Sequence, residues 1–169
     1  DGIDAPTTVS GDLDSTDLDN GATAAGSVQG GGAGTFGDLS VDANGTWTYN
    51  LRNGDANVQA LSATESHNEV FTVVVTDDQG ATDMQQVTVT VMGTNDAPEI
   101  GFDAGNDAGT VVEDDATNAV SGQLTGNDVD NNAALTWSVD GGGSGAYGAL
   151  TVDAAGAWTY TLDNGTPAL

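Results

Sequence analysis

The sequence repeats itself. Slid along itself, it gives one strong match without gaps, at an offset of 111 residues. Val9-Ser10-Gly11 recurs as Val120-Ser121-Gly122, and Asp17-Leu18-Asp19-Asn20 as Asp128-Val129-Asp130-Asn131. Gly30-Gly31-Gly32 returns as Gly141-Gly142-Gly143, Phe36-Gly37 as Tyr147-Gly148, and Gly45-Thr46-Trp47-Thr48-Tyr49 as Gly156-Ala157-Trp158-Thr159-Tyr160. A match this long at one period means a tandem array with a unit on the order of a hundred residues. We expect a first unit over residues 1–97 that lacks its N-terminal strand, and a second over 98–169 that lacks its C-terminal strands. Nothing in the second copy answers to Phe71–Thr76 or Val87–Val91. Either the chain is an excerpt of a longer protein or another chain supplies those strands.

Within each unit the hydrophobic period is two. Leu39 and Val41, then Trp47, Tyr49 and Leu51, alternate with polar residues around Asn44-Gly45, a hairpin signal whose turn needs positive φ. The second copy runs Leu150, Val152, then Trp158, Tyr160, Leu162. Phe71, Val73, Val75 and Val87, Val89, Val91 read as two more half-buried strands joined at Asp77-Asp78-Gln79-Gly80. Short strands at regular turn spacing predict an all-β fold of tandem β-sandwiches. The one helical signal is the capping box Ser62-x-x-Glu65, which predicts a short turn of helix after Leu61.

Charge removes whole classes of partner. Asp and Glu number 26 against a single Lys or Arg, Arg52, for a formal net charge of −25. Phosphate backbones and anionic membrane surfaces would repel such a chain, so neither nucleic acid nor membrane insertion is expected. No apolar run approaches the roughly 20 residues of a membrane span, and no basic, apolar leader stands at Asp1, so solubility is expected. The chain has no cysteine, which removes disulfides, thiolate zinc sites and cysteine nucleophiles. The alternating Val/Thr segments argue against disorder, which the charge alone would allow.

The ordered series Gly37-x-Leu39 to Asp42, Gly45-x-Trp47-x-Tyr49, Val58-Gln59-Ala60-Leu61, Glu65, Phe71-Thr72-Val73, Thr76-Asp77-Asp78-x-Gly80, Val87-Thr88-Val89 and Gly93-Thr94-Asn95-Asp96-Ala97-Pro98 resembles the VCBS repeat over nearly the whole chain. The resemblance implies bacterial cadherin-like, immunoglobulin-type sandwiches strung in calcium-dependent, secreted cell-surface adhesins, often of the RTX kind exported by type I secretion. The second copy departs from the first in carrying Gln123 and Thr125 where the first has Asp12 and Asp14.

The acidic residues are the candidate chemistry. A hard cation such as calcium takes six to eight oxygens, which clustered loop carboxylates, Asn and backbone carbonyls provide. Three groups qualify. One is Asp17, Asp19, Asn20 with its copy Asp128, Asp130, Asn131; a second is Asp77-Asp78 at a strand end; the third is Asn95-Asp96 before Pro98, with Glu113, Asp114 and Asp115 after Val112. The third resembles a cadherin linker, where an Asn-Asp-x-Pro segment, a Glu and an Asp-x-Asp loop converge on ions. The resemblance thereby implies Asn95, Asp96, Glu113, Asp128 and Asp130 at the junction. In the first unit it implies Asp17, Asp19 and Asp77, with Asp1 or Asp4 standing for the linker. Asp, Asn and Gly are also what turns use, and a surface acidified for high salt is the other alternative. Evenly spread charge would mark the latter, whereas here the strands are nearly uncharged. Binding at extracellular calcium levels points to secretion as a loose chain and folding outside the cell.

Enzyme chemistry is not expected. A glycosidase needs one acid with a raised pKa in an apolar cleft, and these acids lie in glycine-rich loops. The lone histidine, His67, sits in a polar stretch, and no nucleophile elbow is present. The absence of lysine excludes Lys–Asn cross-links. Trp47 and Trp158 hold equivalent strand positions and are expected in or near the core, whereas Trp137, opposite Gly26 in the first copy, is the better candidate for exposure and sugar stacking. The glycine triplets read as flexible loops, with no following helix to cradle phosphate. The expected function is a calcium-stiffened spacer for adhesion or biofilm formation, its partners being calcium and neighbouring repeats. The alternatives are a fibre subunit completed by strand exchange between identical chains, and a glycan- or protein-binding module.

Overall fold

The computed structural model describes residues 7–16, 24–101, 105 and 107–165. The chain divides into two compact units, Asp1–Asn95 and Asp96–Leu169.

The first unit is a sandwich of two antiparallel three-stranded sheets. One sheet has the order β1 (Thr8–Asp12), β4 (Thr46–Leu51), β3 (Gly37–Val41); the other has β2 (Ala24–Val28), β5 (Ser66–Asp77), β6 (Thr82–Met92). The period of two explains both. In the first sheet Leu39 and Tyr49 point inward from paired positions of β3 and β4. In the second, Phe71 and Val73 from β5 meet Val87, Val89 and Val91 from β6. These residues with Leu61 form one core, and the rings of Tyr49 and Phe71 meet across it, tilted by 54°, with centroids 5.9 Å apart. Full burial of each such side chain contributes about 1.5–3 kcal/mol. Trp47 lies half-buried over Gly11 of β1, where an added Cβ would come within 2.8 Å of the indole.

The turns depart from the sequence reading in an instructive way. The β3–β4 hairpin needs one positive φ, at Gly45 (86°), and Asn44 has none. The organiser is Asp42, whose Oδ1 accepts the N–H groups of Asn44 (2.8 Å) and Thr46 (3.0 Å). Asp153 does the same for Ala155 and Ala157 in the second copy, where alanine replaces Asn44. The helix also falls elsewhere than expected. It is α1 (Ala56–Gln59), ahead of Leu61, while the Ser62–Glu65 box closes only a turn, with the Glu65 carboxylate accepting the Ser62 N–H at 2.9 Å. Propensity marked the motif, but β5 begins at Ser66 and leaves no room for a helix to propagate. The glycine triplets form two matching turns, each fixed sterically at its third glycine. Gly30, Gly31 and Gly32, like Gly141, Gly142 and Gly143, all hold φ between 70° and 86°. A Cβ at Gly32 would lie 1.9 Å from the Leu39 carbonyl oxygen, and one at Gly143 2.0 Å from that of Leu150.

In the second unit β8 (Ala119–Gln123), β11 (Ala157–Leu162) and β10 (Gly148–Val152) rebuild the first sheet with β11 at its centre. A separate antiparallel pair joins β7 (Glu99–Gly101) to β9 (Thr125–Asn127). Residues 135–139, the counterpart of β2, form no strand; in the first unit β2 pairs with β5, and this chain holds no second copy of β5.

Candidate metal centre

The same turn chemistry that shapes the hairpins occupies one of the candidate ligands. At the β5–β6 turn, Asp77 Oδ1 accepts the N–H groups of Gln79 (2.9 Å) and Ala81 (2.7 Å), with Gly80 at φ 89°. It is the third use of one Asp-x-x-Gly design, after Asp42–Gly45 and Asp153–Gly156. Asp78 stands beside it, exposed. Asp17, Asp19 and Asn20 lie outside the described residues, and Asn95 closes the first unit.

The second unit gathers Asp96, Asp128 and Asp130 differently. Asp128 Oδ1 accepts the Asp130 N–H at 2.9 Å, which folds the loop and turns the Asp130 side chain inward. Asp130 Oδ2 then accepts the N–H of Asp96 at 3.0 Å, tying the segment before Pro98 to this loop. Asp130 is only 8% exposed, and its Oδ1 is buried with no hydrogen-bond partner. A buried carboxylate oxygen without a donor is costly, and a bound cation or water would satisfy it. The chain cannot provide the cation from its arginine. Arg52 is held by Asp38 (2.6 Å) and Asp55 (3.0 Å) and donates to the carbonyls of Gly34 and Thr35; the bonds to Asp38 and Asp55 push its pKa further up. Glu113 is exposed, in a turn where Asp114 has φ 61°, and Asp115 is engaged by the N–H and hydroxyl of Thr117. Among the described residues, no three His, Cys, Asp or Glu side chains are gathered closely enough to share a metal ion. The donor set around Asp130 nonetheless fits a hard cation. Asp128 and Asp130 provide carboxylates, and calcium accepts the remaining oxygens from backbone, Asn and water.

One buried acid escaped the sequence reading. Glu69 is 8% exposed; its Oε1 accepts the N–H groups of Thr35 and Phe36, and its Oε2 accepts the Tyr49 hydroxyl. Burial, with the Glu69 bond and charge behind it, pushes the Tyr49 hydroxyl well above the usual phenol range. The signal was present: Glu69 stands two residues before Phe71 on the inward face of β5. With three donors satisfied, this carboxylate anchors the loop at residues 34–36 to the second sheet. His67 lies on β5 with its ring 5.2 Å from that of Phe36.

Trp158 is buried, and Trp137, expected to be exposed, is half-buried against Gly126 and Gly156. Glycine at those two positions leaves room for the indole, so Trp137 is packed on one side and not fully exposed.

A family model described as bacterial cadherin-like domain matches this chain twice, over residues 3–93 and 95–167. No curated protein gives a significant match.

Proposed function

Since the chain belongs to the bacterial cadherin-like domain family, whose members are extracellular adhesin-type repeats, we propose that it is a calcium-binding spacer segment of a secreted bacterial cell-surface adhesin, of the VCBS-repeat, RTX kind. The observation that carries this reading is the orphaned Oδ1 of Asp130 beside Asp128, on a loop already bonded to the Asp96 backbone. Asp130 and Asp128 would hold the ion, which supplies the positive charge that the chain itself lacks there. Asp130 also fixes the segment leading into the second unit through its bond to Asp96. Tethering that segment and neutralising local repulsion both restrict a linker, and the function is then mechanical. Asn95, Glu113, Asp77, Asp78 and the loop at Asp17, Asp19 and Asn20 are secondary candidates for further ligands.

The test is a thermal melt in millimolar calcium and again after chelation. A site that binds only the folded state stabilises it by about 2.7 kcal/mol at a hundredfold excess over Kd. Calcium should raise the midpoint, and Asp130→Asn should remove most of that rise while melting normally without calcium. An identical response in the variant would reassign the ion elsewhere, and no calcium response at all would end the proposal. A second reading, a fibre subunit completed by strand exchange, is favoured by Tyr147, 77% exposed where the first copy half-buries Phe36. Light scattering on the same samples decides it: a monomer in both conditions removes it, and a calcium-dependent polymer puts it first.

A further inference from the structure

The loop that receives Glu69 in the first unit is built again in the second, and there it stands open. In the first unit the turn at residues 34–37 is closed by Gly34 N–H to Gly37 O at 2.8 Å and tied to the end of β4 by Arg52 N–H to Phe36 O at 2.9 Å. In the second, Gly145 N–H donates to Gly148 O at 2.7 Å and Asp163 N–H to Tyr147 O at 2.8 Å, in the same register of the repeat. The tyrosines match as well. Tyr49 Oη lies over Gly37, and Tyr160 Oη lies over Gly148, where an added Cβ would stand 2.7 Å from it. The groups that bind Glu69 are the N–H groups of Thr35 and Phe36 and the Tyr49 hydroxyl. Their counterparts are the N–H groups of Ala146 and Tyr147 and the Tyr160 hydroxyl.

What fills the space differs. A Cβ built at Gly34 would meet Glu69 Oε1 at 2.5 Å and Phe71 Cζ at 2.8 Å, whereas one built at Gly145 would meet, within 4 Å and among the described residues, only Gly148 O. None of the three donors of the second unit has an acceptor among the described residues. The rings are uncovered too. Phe36 faces the His67 ring at 5.2 Å and Tyr49 the Phe71 ring at 5.9 Å, while Tyr147 is 77% exposed and Tyr160 half-buried. Glu69, Phe71 and His67 all belong to β5, so in the first unit a single β5–β6 hairpin occupies what is open in the second.

We propose that the open face of the second unit is a docking site for a β-hairpin of the β5–β6 pattern, held by a glutamate on its inward face two residues ahead of an aromatic. The glutamate takes the donors of Ala146, Tyr147 and Tyr160, the aromatic lies beside Tyr160, and the leading strand pairs with residues 135–139 as β5 pairs with β2. The donors provide selectivity. A hairpin with no acid at that position would cover them without satisfying them, which costs more than the contact returns. One difference between the copies weakens the site. Arg52, which donates to the carbonyls of Gly34 and Thr35, is replaced by Asp163, so an incoming acid meets a carboxylate where the first unit has a cation. The proposal rests on the strand-exchange reading for the kind of ligand and not for polymerisation. A chain that takes up the hairpin yet is monomeric alone keeps this site and removes the fibre, and a polymer indifferent to the hairpin's acid does the reverse.

The probe is a synthetic peptide of residues 66–92, titrated into the whole chain in calcium-containing buffer and followed by amide shifts in NMR and by light scattering. Saturation at one peptide per chain is expected, with shifts at Ala146 and Tyr147 and a gain of exchange protection over residues 135–139. A peptide carrying Glu69→Gln should bind about fivefold more weakly, and one carrying Glu69→Ala about twentyfold. In the chain, Tyr160→Phe should weaken binding about fivefold. The exposed Asp163→Arg should tighten it about threefold, and tests the site even if Tyr160→Phe unsettles the sheet. An unsaturable titration would overturn the proposal. So would equal binding of the Glu69→Ala peptide, indifference to both chain variants, or shifts at Thr35 and Phe36 in place of Ala146 and Tyr147, which would mean that the peptide replaces β5 in the first unit.

Discussion

Tyr49 and Tyr160 hold the same place in the repeat and the same place in their sheets. Tyr49 faces Leu39 across the β3–β4 ladder, and Tyr160 faces Leu150 across β10–β11. Their surroundings differ. Tyr49 and Leu39 are each 2% exposed, whereas Tyr160 and Leu150 are only half-buried. The β5–β6 hairpin accounts for the difference, since it brings Phe71, Val73, Val87, Val89 and Val91 onto the inner face of the first sheet. Alternation and turn chemistry thus suffice to build the sheet, while burial depends on a second sheet contributed from farther along the sequence.

The largest effect expected from this contrast is in the core. Leu39→Ala should cost about 3 kcal/mol or more, while Leu150→Ala, at a position less buried, should cost about 1 kcal/mol. Denaturant unfolding of each variant, followed by tryptophan fluorescence and by exchange of amides in β4 and β11, measures the two separately. Equal losses would break the comparison, because they would mean that the second sheet packs its inner face as fully as the first.

Next comes the buried acid. Glu69→Ala should cost about 3 kcal/mol, because it strands the N–H groups of Thr35 and Phe36 and the hydroxyl of Tyr49 without a partner. Glu69→Gln keeps the shape and the amide acceptor and should cost about half as much. A Gln variant as damaged as the Ala variant would show that the charge itself, and not the set of three bonds, holds the loop at residues 34–36 to β5.

Much of this arrangement was legible in the residues, and what was not has a physical cause. The inward series Leu39, Tyr49, Phe71, Val73, Val87, Val89 and Val91 could be read from a period of two because each strand is half-buried. The Asn44-Gly45 hairpin was located correctly, but its organiser, Asp42, was not, since an Asx bond is invisible to a pattern of dihedral preferences. Glu69 was missed because a charged residue on an inward face is read as an interruption until its three donors are seen. Trp137 reads as the better candidate for exposure because its counterpart is Gly26; only the geometry shows that Gly126 and Gly156 make room for the ring. The metal candidates were legible as a composition of loops. Which of them turn inward depends on single bonds, such as the one from Asp130 N–H to Asp128 that points one carboxylate into the protein.

The smallest effect is a pH dependence at Tyr49. In the folded first unit the Tyr49 hydroxyl, desolvated and bonded to Glu69, titrates above its value in the unfolded chain. The unfolded state therefore loses its proton first, so stability tied to this group is complete below about pH 10 and declines as pH rises beyond it. Tyr49→Phe removes that titration, and at neutral pH it costs about 1–2 kcal/mol because a Glu69 oxygen is left buried without its donor. The gap between wild type and variant should therefore narrow from pH 9 to pH 11, read as melting midpoints at matched ionic strength. A gap for Tyr49→Phe that stays constant across this range would mean that Glu69 does not hold the Tyr49 proton. The contrast between the two units would then rest on apolar packing alone.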